Sequence, residues 1–94
     1  MIVDWTDIAQ DNLHSLHSYI AEDNPDAADR MVARVLDAVA SLAAFPNVGR
    51  PGRVGGTREL VIPRTPFIVA YRVQPSAIQI LAVIHGRQQW PTAF

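Results

Sequence analysis

Residues 67–73 read Phe-Ile-Val-Ala-Tyr-Arg-Val. Six of these seven positions are apolar or aromatic, and three are β-branched. That composition suits a pleated strand, and a run this short bounded by turn residues is strand-length rather than helix-length. Upstream, Arg58-Glu59-Leu60-Val61-Ile62 is strand-like and stops at Pro63. Pro63-Arg64-Thr65-Pro66 makes a short connection, and Gln74-Pro75-Ser76-Ala77 makes the next turn. Ile78 to His85 is the last strand. Three strands with short connections form a meander. In the middle strand Phe67, Val69, Tyr71 and Val73 share one side, and Ile68, Ala70 and Arg72 the other. Plain alternation in the last strand sets Ile78, Ile80, Ala82 and Ile84 against Gln79, Leu81, Val83 and His85. One parity is wholly apolar and suits a core. The other is mixed, so it needs a cover or forms a cleft.

Before residue 46 the period changes to that of a helix. Met1 to Trp5 reads as a short strand, and Thr6 or Asp7 can cap the helix that follows. Ile8, Leu13, Leu16, Tyr19 and Ile20 recur at helical intervals, predicting a helix over about 7–21. Asn24-Pro25 is a second start signal, an N-cap followed by proline where its missing N–H costs nothing. Ala28, Met31, Val32, Val35, Val39 and Leu42 form an apolar stripe, and Asp26 and Arg30 are spaced for an i,i+4 pair. Phe45-Pro46 ends this second helix. The expected fold is a single α+β domain over residues 1–94, ordered β-α-α-β-β-β. An N-terminal helical hairpin packs on one face of a small antiparallel sheet.

The 94 residues include no cysteine, so no disulfide framework or thiolate metal site exists, and a reducing cytoplasm fits. Asp4 and Asp7 interrupt the N-terminus before any long apolar run, so no signal peptide is expected. Leu81 to Ile84 is far too short to span a bilayer, and no membrane partner is expected. The net charge of −1 conceals an asymmetry. Residues 1–45 carry Arg30 and Arg34 against eight acids, whereas residues 46–94 carry six arginines against Glu59 alone. The sheet half can therefore project a local positive field. All eight basic residues are arginine, whose planar fork matches phosphate and carboxylate.

Three of those arginines lie in Gly49-Arg50-Pro51-Gly52-Arg53-Val54-Gly55-Gly56-Thr57-Arg58. A phosphate-cradling loop requires a strand before it, a helix after it and a terminal lysine. This one follows a helix, precedes a strand and has no lysine, so it reads as a flexible connection. Arg50, Arg53 and Arg58 are either solvated or turned toward phosphate. His85 ends a strand as a structural residue or as a general acid or base. The only other histidines, His14 and His17, lie on a different element, and no metal site is expected. Trp90 with Pro91 reads as an anchor pinning the tail to the sheet, with a base-stacking platform as the alternative.

Several stretches, in order, resemble the RelE/ParE superfamily of toxins from bacterial type II toxin–antitoxin modules. They are Tyr19 to Ala28, Leu42 to Gly52, Gly56 to Ile62, Pro66 to Val73 and Ile84 to Pro91. The resemblance implies a toxin held inactive by a cognate ParD- or RelB-like antitoxin in a hetero-oligomer. It implies no cofactor. On this reading Ile68, Ala70, Arg72, Leu81, Val83 and Trp90 meet the antitoxin, which accounts for the mixed sheet face. Arg50, Arg53, Arg58, Arg72 and Arg87 are the candidate target- or phosphate-binding residues. Two mechanisms compete in the superfamily. RelE-like members cut mRNA on the ribosome, and here Arg64, His85 and Arg87 would be the catalytic candidates. ParE-like members inhibit DNA gyrase by binding. The chain has no lysine and no tyrosine after Tyr71, and it lacks the strong basicity that ribosome binding favours. Those departures, with the Gly49 to Gly52 loop and the Pro66 to Arg72 stretch, place it nearer the ParE branch, as an inhibitor rather than an enzyme. Outside the toxins, a small non-toxic protein-binding module is the other reading.

Overall fold

A computed structural model describes residues 1–94. The elements are β1 (Ile2–Trp5), α1 (Asp7–Ala21), α2 (Pro25–Ala40), a 3₁₀ turn (Ser41–Ala43), β2 (Arg50–Pro51), β3 (Arg58–Val61), β4 (Phe67–Val73) and β5 (Ala77–His85). Both helices start where their capping residues predict. Thr6 Oγ1 accepts from Ala9 N at 3.2 Å, and Asn24 Oδ1 accepts from Ala27 N at 3.0 Å. Asp26 and Arg30 do not pair. Asp29 instead reaches across the hairpin to His17 Nε2 at 2.8 Å. No helix is long and apolar enough to cross a membrane.

The sheet order is β1-β5-β4-β3-β2. Three of its four pairings are antiparallel, and β1 runs parallel to β5 with Ile2 opposite Ala77 and Trp5 opposite Ile80. The sheet is therefore mixed rather than purely antiparallel. Thr6 fastens the new edge, its Oγ1 donating to Ile80 O at 2.7 Å. The helical hairpin covers one face. Ala9, Val35, Val39 and Leu42 pack there on Val69, Tyr71, Ile78, Ile80 and Val83.

One irregularity reassigns half of β5. Ala70 pairs with Ala82 but Tyr71 pairs with Ile80, which leaves Leu81 as an extra, bulged residue. Before the bulge Ile78 and Ile80 face the helices; after it Val83 does. Leu81, Ala82 and Ile84 gather on the opposite face with Ala70. Plain alternation therefore fails beyond Ile80. Val83 therefore lies on the helix side of the sheet, not on the mixed face with Leu81.

Candidate functional site

The second sheet face is not open in the free chain. Ile68, Ala70, Leu81, Ala82 and Ile84 are all buried, and Trp90 of the C-terminal tail packs over the last four. A hydrogen bond from Gly86 N to Pro66 O (2.8 Å) turns the tail back at the strand end. The proposed anchoring role of Trp90 therefore matches its position. Ile68, Ala70 and Leu81, expected as antitoxin contacts, are buried in the free chain, the last two beneath Trp90.

Glu59 organises the rim of this face. It stands opposite Ala70 and is only 2% exposed. A carboxylate so buried requires partners. Arg50 donates to Oε1 from Nε and Nη2 at 3.1 and 3.0 Å, and Arg53 N donates to Oε2 at 2.8 Å. The Arg53 side chain approaches the same oxygen at 3.6 Å, and its guanidinium lies 4.0 Å above the Trp90 ring. A cation over an indole face is attracted by the ring quadrupole. Glu59 thus holds Arg53, and Arg53 holds the tail. The glycine-rich segment is pinned, because Gly52 N donates to Thr57 O and β2 pairs with β3. Arg50 and Arg53 are consequently counter-ions of Glu59, not free phosphate ligands.

Replacing Glu59 with alanine leaves Arg53 N–H without its partner and two guanidiniums side by side without their carboxylate. A buried donor so orphaned costs about 1–3 kcal/mol, and this bond is only part-buried, so a loss near the lower figure is expected. Both arginine side chains are about half exposed, 51% and 48%, so water recovers part of the charge imbalance. Thermal unfolding measures the loss. In a Trp5→Phe background, Trp90 emission should shift red as the ring is released.

The remaining candidates do not converge. Arg58 Nη1 donates to Gly49 O at 2.8 Å and Asn47 O at 3.3 Å, so it fastens a loop. Arg72 stands opposite Gln79, and Arg87 follows the other end of β5. Six residues of strand separate Gln79 from His85, or roughly 20 Å at the strand rise. One phosphate cannot be gripped from both ends. The target- or phosphate-binding candidates Arg50, Arg53, Arg58, Arg72 and Arg87 therefore do not surround one hollow. Four of the five lie at the β3-start end of the sheet, three are internally bonded, and Arg87 lies at the opposite end.

Arg64, His85 and Arg87 do lie at the same end of the sheet, but they share no hollow. His85 lines a groove of about 490 Å³ with Leu16, Tyr19, Met31, Phe67 and Val83. Its ring meets Phe67 edge-on, centroids 5.9 Å apart. Arg64, in the left-handed region at φ 62°, lines a separate groove with Arg34, Asp37 and Ile62. Its carbonyl accepts from Arg34 Nη1 at 3.3 Å. His85 is stitched into its own turn. Arg87 N donates to His85 Nδ1 at 3.1 Å, and Gln88 Oε1 accepts from His85 N at 3.2 Å. With Nδ1 accepting, the neutral ring carries its proton on Nε2. No group of three or more His, Asp or Glu side chains is placed to hold a metal ion.

A buried tyrosine is the feature that sequence reasoning missed. Tyr71 is fully buried, yet its hydroxyl donates to Pro46 O at 2.8 Å and accepts from Gly49 N at 2.9 Å. A Cβ on Gly49 would lie 2.5 Å from that hydroxyl and 2.9 Å from Glu59 O, so only glycine fits. Glu59 was also passed over, although a lone acid among six arginines is itself a signal of ion pairing.

A family model described as "ParE toxin of type II toxin-antitoxin system, parDE" matches residues 3–90. The chain belongs to the ParE toxin family. Relatives of this ParE-family chain bear both superfamily names. The putative toxin Y4kP of Sinorhizobium fredii is 48% identical over 87 residues, covering 93% of this chain and 90% of that protein. Toxin RelE2 of Caulobacter vibrioides is 32% identical, covering 87% and 91%. Among solved structures, the chromosomal ParDE TA system from P. aeruginosa matches with a TM-score of 0.81 at 32% identity, covering 90% of this chain and 95% of that one. The RelBE2 toxin–antitoxin complex of Mycobacterium tuberculosis matches with 0.65 at 28%, covering 89% and 95%. The ParE-family chain is thus a toxin of the type II toxin–antitoxin class, with the helical hairpin and five-stranded sheet of its structural neighbours.

Proposed function

We propose that this toxin arrests growth by binding DNA gyrase, without turnover, and is held in check by a cognate antitoxin in the cytoplasm. The tethering of His85 carries the reading. The one lone pair that its neutral ring offers to a proton is engaged by Arg87 N–H. Arg64 and Arg87, the cations that a nuclease would aim at the scissile phosphate, share no hollow with it. A general base needs a free lone pair within reach of the 2′-hydroxyl, and the phosphate needs convergent donors. The free chain's arrangement of His85, Arg64 and Arg87 supports action by binding. The ParE family match and the solved ParDE relative support the gyrase branch and an antitoxin partner.

The RelE-named relatives supply the alternative, ribosome-dependent mRNA cleavage. A gyrase supercoiling assay run beside a reconstituted translation reaction separates the two. The expected result is inhibited supercoiling and intact mRNA, with His85→Gln as inhibitory as the wild type. If the chain cleaves mRNA, and His85→Ala slows that cleavage by roughly the 10²–10⁴-fold typical of a general acid–base group, the gyrase reading fails.

A further inference from the structure

Phe45 and Val48 are 65% and 62% exposed, in a loop that the fold takes unusual care to hold still. Val48 N donates to Phe45 O at 3.3 Å, closing a tight turn over Phe45-Pro46-Asn47-Val48. In such a turn the first and fourth residues are neighbours, and proline at the second position fixes its backbone. Four carbonyl and amide groups between Pro46 and Gly49 are then bound by side chains. Tyr71 takes Pro46 O and Gly49 N, and Arg58 takes Asn47 O and Gly49 O. Tyr71 itself is buried among α2, β4 and β5 residues, so the loop is fastened to the core.

Single exposed apolar side chains need no explanation. Two exposed ones at the ends of one braced turn are different, because the ordering cost of presenting them has already been met in the fold. Interfaces place aromatic anchors in this way, each filling a pocket on the partner. We propose that the Phe45–Val48 turn is the anchor by which the toxin engages its protein target. The matching surface is a folded protein with a concave apolar pocket and an acidic rim. A knob needs a pre-existing hole, which a folded target has and a segment that orders only on binding does not. The acidic rim follows from charge: residues 44–59 carry three arginines against Glu59 alone, so two positive charges beside the turn are left over after the Glu59 pairing. This inference rests on the reading that the chain acts by binding a protein target.

The test is the double variant Phe45→Ser/Val48→Ser in the full chain, assayed for growth arrest and for inhibition of gyrase supercoiling. Both positions are exposed, so the melting temperature and antitoxin binding should be retained. Inhibitory potency should fall by roughly 30-fold or more, the loss expected for a hot-spot pair. The shape-preserving Phe45→Tyr should keep its potency. If the double variant melts early, Val48→Ser alone decides, since loss of that anchor must also lower potency. A wild type that inhibits and a double variant that inhibits equally overturn the anchor and leave the proposed function standing. A wild type inert in both assays removes the proposed function and the anchor together.

Discussion

Tyr71→Ala should lower the unfolding free energy by about 3–5 kcal/mol, the range for truncating a buried aromatic. Domains of this kind are stable by only about 5–15 kcal/mol, so the variant should be partly unfolded near physiological temperature. Two contributions add. The ring fills the core between α2 and β5, and the hydroxyl satisfies Pro46 O and Gly49 N. Tyr71→Phe isolates the second. It keeps the ring and orphans the two backbone groups, at a cost of roughly 1–3 kcal/mol. Each kcal/mol lowers Tm by about 4–8 °C for a domain of this size, so calorimetry resolves both steps. The phenylalanine variant should also lose inhibitory potency, because the turn it unfastens carries Phe45 and Val48. Unchanged potency together with a lowered Tm would separate the brace from the anchor.

Val83→Asp is the second large effect. Plain alternation groups Val83 with Gln79, on the mixed face where a carboxylate would be tolerated. The bulge at Leu81 turns Val83 into the helix-side core instead, only 6% exposed. A carboxylate there has no cationic partner, and burying a charge without one belongs to the rare substitutions that cost more than about 4–5 kcal/mol. The expected outcome is loss of cooperative unfolding by circular dichroism at neutral pH. Gln79→Asp, before the bulge and partly exposed, should stay folded with a Tm near that of the wild type.

That pair of variants marks where the sequence could be read and where it could not. Asn24-Pro25 and Thr6 mark helix starts through interactions three residues long, and both caps form as read. The strands from Arg58 to His85 announce themselves by composition and by the prolines and polar residues between them. The bulge does not, because from Ile80 to Ile84 every residue is apolar and no polar side chain marks a face. The parallel pairing of β1 is equally silent. Its partner lies at the opposite end of the chain, and four residues carry no register signal. The two-residue β2 is too short to read, yet it brings Arg50 beside Glu59. Without that contact, three arginines in ten residues look like an anion site. With it, two of them are spent within the fold.

The parallel seam between β1 and β5 also has a temporal meaning. Ile2 waits for Ala77, and Thr6 for the carbonyl of Ile80. Long separations of this kind make sheet closure a late event. During synthesis the first strand therefore has nowhere to dock until Ala77 to Ile80 have been made. A nascent chain that stops before Ala77 lacks β5, which is both the neighbour of β4 and the latch for its own beginning. Translation interrupted before β5 should yield an inert fragment, and the poison exists only once that strand has emerged.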